Sequence, residues 1–542
     1  MVRILAHAPV AGEPGLKAVA DMSPKAWISR CNPPLRSHAS GPLAGLTFAV
    51  KDNMNVAGMP TTAGCPAFAF TPDEHAVVVH KLLAAGATLV GKTNLDQFAC
   101  GLNGTRSPYG AVPNAFNPAY VSGGSSSGSA YVVATGQVDF ALGTDTAGSG
   151  RVPAGLNNIV GLKPSKGLVS TRGVLPAAQS VDCVSVFART TALAAQVLEV
   201  LAGYDAQDAY SRQLTLNAQL WGASFRFGVP STCKFFGDAL AEAAFDQGIQ
   251  QLKALGGRPI TIDYGPLALA ADLLYNSALV AERYAAIRPF FDAHEAEVIE
   301  PVRSIIAKGR DYSAADLYAA QTLLRSYGQQ AAAMWNDIDV LLVPTAPTHY
   351  RLAQMQADPV TLNRNLGEYT NFVNLLDYAA IAVPSSLRAD GLPFGVTLVG
   401  PCGSDWQLAE LGQRLHHSTG LKQGFTALNL PLAQSIRVRA ATNKEATLPL
   451  VVVGAHLSGM PLNGQLLERG AQLAQTTTTT DHYRLYALPN TTPPKPGLKR
   501  VTSGGAAIAI EVWNMPIAQV GSFLALIPAP LGLGKVELTD GT

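Results

Sequence analysis

Gly143-Thr-Asp-Thr-Ala-Gly-Ser-Gly-Arg-Val-Pro-Ala154 decides the reading of this chain. It follows the strand candidate VDFAL, and its run of small residues lets main chain approach a ligand closely. Twenty residues upstream lies a second loop of the same character, Gly123-Gly-Ser-Ser-Ser-Gly-Ser-Ala130, separated from the first by the helix candidate AYVVATG. Taken singly, Gly/Ser segments are turns or linkers. Two of them at element ends, with Lys51 closing the apolar strand LTFAV, place three groups capable of proton transfer where catalytic residues tend to sit.

Further along, helix-like and strand-like segments alternate. HAVVVHKLLAAGATLVGKT reads as a helix ending at Gly86 and a buried strand over Ala87 to Val90, so the first 433 residues are assigned to an α/β core with helices covering a sheet. The polar stretch QSIRVRAATNKEAT, residues 434–447, reads as a linker. Residues 448–542 then form a small α+β domain, mainly β, with a tract from Thr476 to Thr480 that suits a solvated turn or a strand edge.

With 542 residues, 48% hydrophobic and 14% charged, the chain has material for a large core and a further domain. A formal net charge of +1 and no Lys/Arg run give no basic stripe for a phosphate backbone, so no nucleic-acid partner is expected. Val512 to Gly534 carries Asn514, Pro516, Gln519, Pro528 and Pro530, which argues for buried strand and turn and against a membrane span. Arg3 followed by an apolar run broken at His7, Pro9 and Glu13 is a poor secretory signal, and a cytoplasmic location is expected. Six scattered cysteines show neither CxxC pairs nor zinc spacing; reduced thiols, no metal and no organic cofactor are expected.

Two pattern matches are set aside. Gly86 to Thr93 satisfies the P-loop expression, but here the glycines bracket the strand itself, and extended residues cannot turn their N–H groups onto one phosphate. Gly124-Ser-Ser-Ser-Gly128 fits the nucleophile elbow around Ser126, yet no bulky strand directly precedes it.

The three segments around Lys51, Ser125 and Ser149 together resemble the amidase signature family over roughly residues 25 to 430. That resemblance implies a central mixed sheet covered by helices. It also implies Ser149 as nucleophile, Ser125 as a bridging serine behind a cis Gly124–Ser125 peptide, and Lys51 as general base. Main-chain N–H groups of Thr146, Ala147, Gly148 and Ser149 would form the oxyanion hole. A lysine works as base only when unprotonated, and burial lowers its pKa, so Asp52 is expected to face away from Lys51.

Within the family, GTDTAGSGRVPAGLNNIVGLKPSKG, the downstream SVDCVSVFAR and the appended C-terminal domain are similar to the allophanate hydrolases. The implied substrate is a small anionic amide, cut to ammonia and carbon dioxide. A homodimer is the expected assembly, with urea carboxylase as functional partner. Tyr275 and Arg283, on the helix candidate ADLLYNSALVAERYAAI, resemble the substrate-binding pair; on one helix they lie about 12 Å apart along the axis, and an ion pair of Arg283 with Glu282 or Asp272 is the plainer reading. In GAHLSGMPLN, His456 is the candidate for handling the product, although a histidine after an apolar strand is more often structural; Glu511 is a buried-carboxylate candidate on the same terms. The rivals are a glutaminase subunit of a tRNA-dependent amidotransferase and a non-catalytic protein that keeps the fold.

Overall fold

The computed structural model describes residues 24–436, 447–489 and 491–541. The N-terminal stretch read for a leader, and residues 437–446 of the expected linker, lie outside them. Two compact units divide near Ala441.

In the first unit eleven strands form one mixed sheet. They are β1 (Trp27–Leu35), β2 (Thr47–Lys51), β3 (Thr88–Thr93), β4 (Phe140–Asp145), β5 (Val160–Lys163), β6 (Cys183–Ala188), β7 (Phe225–Pro230), β8 (Gly257–Ile262), β9 (Val340–Pro344), β10 (Ala379–Leu387) and β11 (Pro393–Gly400). Their order is β1-β3-β2-β4-β6-β5-β10-β11-β9-β7-β8. β2 runs parallel to both β3 and β4, so Lys51 and Asp145 leave the sheet at the same edge. The stacked rings of Phe48 and Phe140, 5.4 Å apart, and buried Val50 and Leu142 hold that pair together beneath the edge.

Helix α1 (Val77–Ala84) turns Val78, Val79, Leu82 and Leu83 into the core, an apolar stripe at i, i+1, i+4, i+5. It ends before Gly86, whose φ of +89° lets the chain reverse into β3. Gly91 and Lys92 of the P-loop look-alike sit inside that strand. Lys92 is fully buried and paired with Asp52 at 2.9 Å. Helix α2 (Ser127–Ala134) is buried on every side, as its uncharged sequence SGSAYVVA allows. Ser126 stands at its N-terminal boundary without capping it and donates its Oγ to Thr144 O, so the elbow-like serine serves main chain.

The long helix expected across residues 271–287 is broken. Helix α3 (Gly265–Asn276) stops where Ser277 adopts φ −139° and ψ 179°, one 3-10 turn covers Ala278–Val280, and α4 (Ala281–His294) starts afresh. Ser277 makes the break through its side chain, which donates to Leu273 O and accepts from Leu279 N.

The second unit holds a three-stranded antiparallel sheet of β12 (Thr447–Val452), β16 (Ala509–Pro516) and β13 (Gln472–Thr478), with a separate hairpin of β14 (Tyr483–Ala487) and β15 (Pro496–Arg500). Leu450, Val452, Leu466, Trp513, Met515 and Phe523 form its core. The threonine tract begins on β13, an edge strand. The stretch expected as strand and turn holds a helix between the two, α5 (Ile517–Leu524), because past Pro516 the apolar residues Ile517, Val520 and Phe523 recur every third position. Among the described residues no helix is long and apolar enough to cross a membrane.

Removing Lys92 leaves the Asp52 carboxylate buried without its cation. Lys92→Met should lower stability by about 3–5 kcal/mol in chemical denaturation, and adding Asp52→Asn should recover most of it.

Candidate active site

At the shared edge of β2 and β4 the three expected relay residues meet. Lys51 Nζ lies 2.7 Å from Ser125 Oγ, which lies 2.9 Å from Ser149 Oγ. Thr144 Oγ1, at 2.8 Å, accepts a second hydrogen bond from Nζ. All four side chains are buried. The Gly124–Ser125 peptide is cis. A Cβ at Gly124 would stand 2.2 Å from Asp96 Oδ2 and 2.6 Å from Gly104 N, so no larger residue fits before Ser125. Asp96 fixes this wall: its N–H donates to Ser125 O, and its carboxylate accepts from the N–H groups of Asn103, Gly104 and Arg106.

Burial lowers the pKa of Lys51 to about 7, against the opposing pull of Asp96, Asp182 and Asp145, with Arg283 adding to the drop. Asp52, next in sequence, turns away to Lys92 and to Thr62, whose N–H it accepts at 2.9 Å. At neutral pH a large fraction of Lys51 is therefore free amine.

The oxyanion loop differs from expectation at one position. Gly148 N–H already donates to Asp145 Oδ1 at 2.8 Å, as Gly150 N–H does to Oδ2 at 3.0 Å. The carboxylate folds back over its own loop and is held there by the buried Arg151 guanidinium at 2.8 Å. Gly148 is thus removed from the set of free donors. The N–H groups of Thr146, Ala147 and Ser149 make no hydrogen bond to protein among the described residues. Gly148 still matters as a glycine, because its φ is +137° and a Cβ would meet Thr370 Oγ1 at 2.3 Å. Asn374 ties the loop down from outside, donating to Asp145 O and Val181 O and accepting from Arg151.

The break at Ser277 brings Tyr275 and Arg283 into contact. Arg283 Nη2 donates to Tyr275 Oη at 3.2 Å, and the guanidinium carbon stands 5.2 Å from the ring centroid. Tyr275 packs on the apolar cluster that includes Ala147. Arg283 is buried, and its Nε and Nη1 have no hydrogen-bond partner among the described residues. The ion-pair alternatives fail: Glu282 accepts from Ser180 N and Oγ, and Asp272 accepts from Asn276. A buried cation with two unmet donors near a relay is a place for an anion.

Thr144, Asp96, Asp145 with Arg151, and Asn374 complete the site and were not singled out from sequence. Thr144 and Asp145 stand within the decisive motif and could have been read there; nothing local marks Asn374, which arrives from more than 200 residues away.

His456 and Glu511 belong to the second unit. His456 is half-buried, with Nε2 3.0 Å from Gln465 Oε1 and its ring against Phe523. Burial lowers its pKa. Glu511, buried on β16, accepts from Ser458 N and Trp513 Nε1, both at 2.9 Å. The two lie near each other through residues 456–458 without a direct bond among those described.

Residues 13–409 match the amidase family, and residues 448–542 match the allophanate hydrolase C-terminal domain. The chain is 44% identical to urea amidolyase of Saccharomyces cerevisiae over 511 residues, covering 92% of this chain but only 28% of that protein. A solved structure of Kluyveromyces lactis allophanate hydrolase superposes with a TM-score of 0.76 at 41% identity, over 97% of this chain and 90% of the other. A glutamyl-tRNA(Gln) amidotransferase subunit of Halobacterium salinarum is 34% identical over 412 residues, 70% of this chain and 96% of the relative. With the relay residues in contact at the sheet edge and these likenesses running through both units, the chain belongs to the amidase family and carries an allophanate hydrolase C-terminal domain behind its amidase domain.

Proposed function

We propose that the chain is an allophanate hydrolase. The observation that carries the substrate class is Arg283, a buried guanidinium with two unmet donors beside Tyr275. It suits the carboxylate of a small anionic amide.

Ser149 Oγ attacks the terminal amide carbon while its proton passes to Ser125 Oγ, whose own proton passes to Lys51 Nζ. Thr146 and Ala147 N–H receive the oxyanion. The relay then returns a proton to the departing nitrogen, ammonia leaves, and Ser149 holds an acyl group that still carries the carboxylate gripped by Arg283. Water, activated by the same relay, releases N-carboxycarbamate. His456 and Glu511 are the proposed groups for its decarboxylation in the second unit. Urea carboxylase is the proposed supplier of substrate, and the proposed setting is a cytoplasmic homodimer. The likeness to an amidotransferase subunit covers 70% of the chain, whereas residues 448–542 carry their own match to an allophanate hydrolase domain, which favours the first reading over a glutaminase.

Ammonia release from allophanate, biuret, malonamate and glutamine decides the substrate: allophanate should lead, and turnover of glutamine with allophanate ignored would sink the assignment. Arg283→Gln should lower kcat/KM for allophanate by roughly a hundredfold, about 2–3 kcal/mol, through KM first.

Because Lys51 must be unprotonated to act, kcat/KM should fall as pH drops through about 7, by about tenfold per unit below it. A flat profile from pH 6 to 8 would remove Lys51 from its role.

A further inference from the structure

Antiparallel pairing of β4 with β6 sets Asp145 opposite Cys183. The next step off that ladder faces Thr146, on the oxyanion loop, with Asp182. Thr146 Oγ1 donates to Asp182 Oδ1 at 2.5 Å. The other oxygen, Oδ2, accepts from Ala177 N at 2.8 Å and Ala178 N at 3.2 Å, so the carboxylate is clamped from behind while it reaches forward. Ala178 and Ala147 share one apolar cluster on the flank of the same loop. Unlike Asp52 and Asp145, Asp182 has no cation within 4 Å among the described residues. An unpaired carboxylate held beside the reacting groups needs a reason.

We propose that Asp182 is a positioning residue for the reaction, anchoring the Thr146–Ala147 turn beside Ser149 through the Thr146 hydroxyl and setting a negative charge among the groups that surround Lys51. The proposal rests on the relay reading above. Asp182 and Thr144, the second partner of Lys51, both line a cavity of about 10 Å³. That is room for about one water beside the carboxylate. The charged groups around Lys51 are Asp96, Asp145, Asp182 and Arg283, with the Asp52–Lys92 pair on the neighbouring strands. Asp96 and Asp145 are committed to main-chain N–H groups, and Asp145 also to Arg151. Asp182 is the one of the three held by a side chain of the oxyanion loop. Dehydration pushes its own pKa up to about 6, still below the value of about 7 for Lys51, so Asp182 is mainly charged at neutral pH, where Lys51 releases its proton, and loses that charge toward pH 6.

The test uses the full chain and the pH dependence of ammonia release from allophanate. Asp182→Asn keeps an acceptor for Ala177 and Ala178 but removes the charge. It should lower kcat by about tenfold or more with KM little changed. It should also move the acid limb to lower pH, since a carboxylate that raised the pKa of Lys51 is gone. Thr146→Val cuts the link without touching the charge, and should lower kcat while leaving the limb in place; Asp182→Glu should keep the limb near its original position. An Asp182→Asn enzyme with wild-type kcat and limb overturns the proposal, as does one whose only change is a lower denaturation midpoint. If that variant does not fold, Thr146→Val decides: an unchanged kcat overturns the anchoring role. Loss of activity in Lys51→Ala together with a wild-type Asp182→Asn would reject this role and spare the relay, whereas an active Lys51→Ala would reject both.

Discussion

The structure depends on one amine kept dry. Lys51 ends a strand whose parallel neighbour ends at Asp145, and the edge between them is sealed by α2, by the loop that Asp96 organises, and by the oxyanion loop. An ammonium moved there from water carries a desolvation cost that the free amine does not, and that difference shifts the group toward neutrality. The hydroxyls of Ser125 and Thr144 solvate the amine without adding charge. Substituting a carboxylate for either hydroxyl would make an ion pair and fix the proton on nitrogen. The oxygens nearest the lysine are therefore neutral, and the acids stand one shell further out.

Those acids are parcelled out. Asp52 goes to Lys92, Asp145 to Arg151 and to two loop amides, and Asp96 to three main-chain N–H groups. Each assignment satisfies a buried carboxylate, and those of Asp145 and Asp96 also brace the segments that carry Ser149 and Ser125. The same carboxylate that steadies Gly148 withdraws that N–H from the oxyanion. The donors left for the proposed hole are the N–H groups of Thr146, Ala147 and Ser149, and the Thr146 side chain is held from behind by Asp182.

Much of this was legible in the sequence because the chemistry sits in two contiguous Gly/Ser loops and at one strand end, where spacing reports proximity. The direction of Asp52 also followed from charge alone. The contact between Tyr275 and Arg283 was not legible in its geometry. An unbroken helix keeps them about 12 Å apart, and only the hydroxyl of Ser277, bonding back to Leu273 O, stops the helix and lets Arg283 fold over the ring. Asn374 was invisible because its partners are distant in sequence. At the P-loop look-alike, reading the glycines against the strand was enough: Gly91 and Lys92 lie in extended backbone, and the lysine that would hold a phosphate holds Asp52.

Arg283 and Lys51 also oppose one another. The guanidinium lowers the proton affinity of the amine, and the three aspartates raise it. An anionic substrate seated on Arg283 cancels part of that positive field, so binding makes Lys51 a stronger base and at the same time more inclined to hold a proton before attack. A site that binds its anion too tightly, or too near the relay, would protonate its own base. On the proposed reading Arg283 meets this conflict by standing past the helix break, hydrogen-bonded to Tyr275 Oη rather than to a relay residue among the described residues, with its guanidinium over the Tyr275 ring. A separation of the anchoring cation from the reacting amine then follows as a requirement of the proposed chemistry, and the interruption at Ser277 ties that cation to Tyr275.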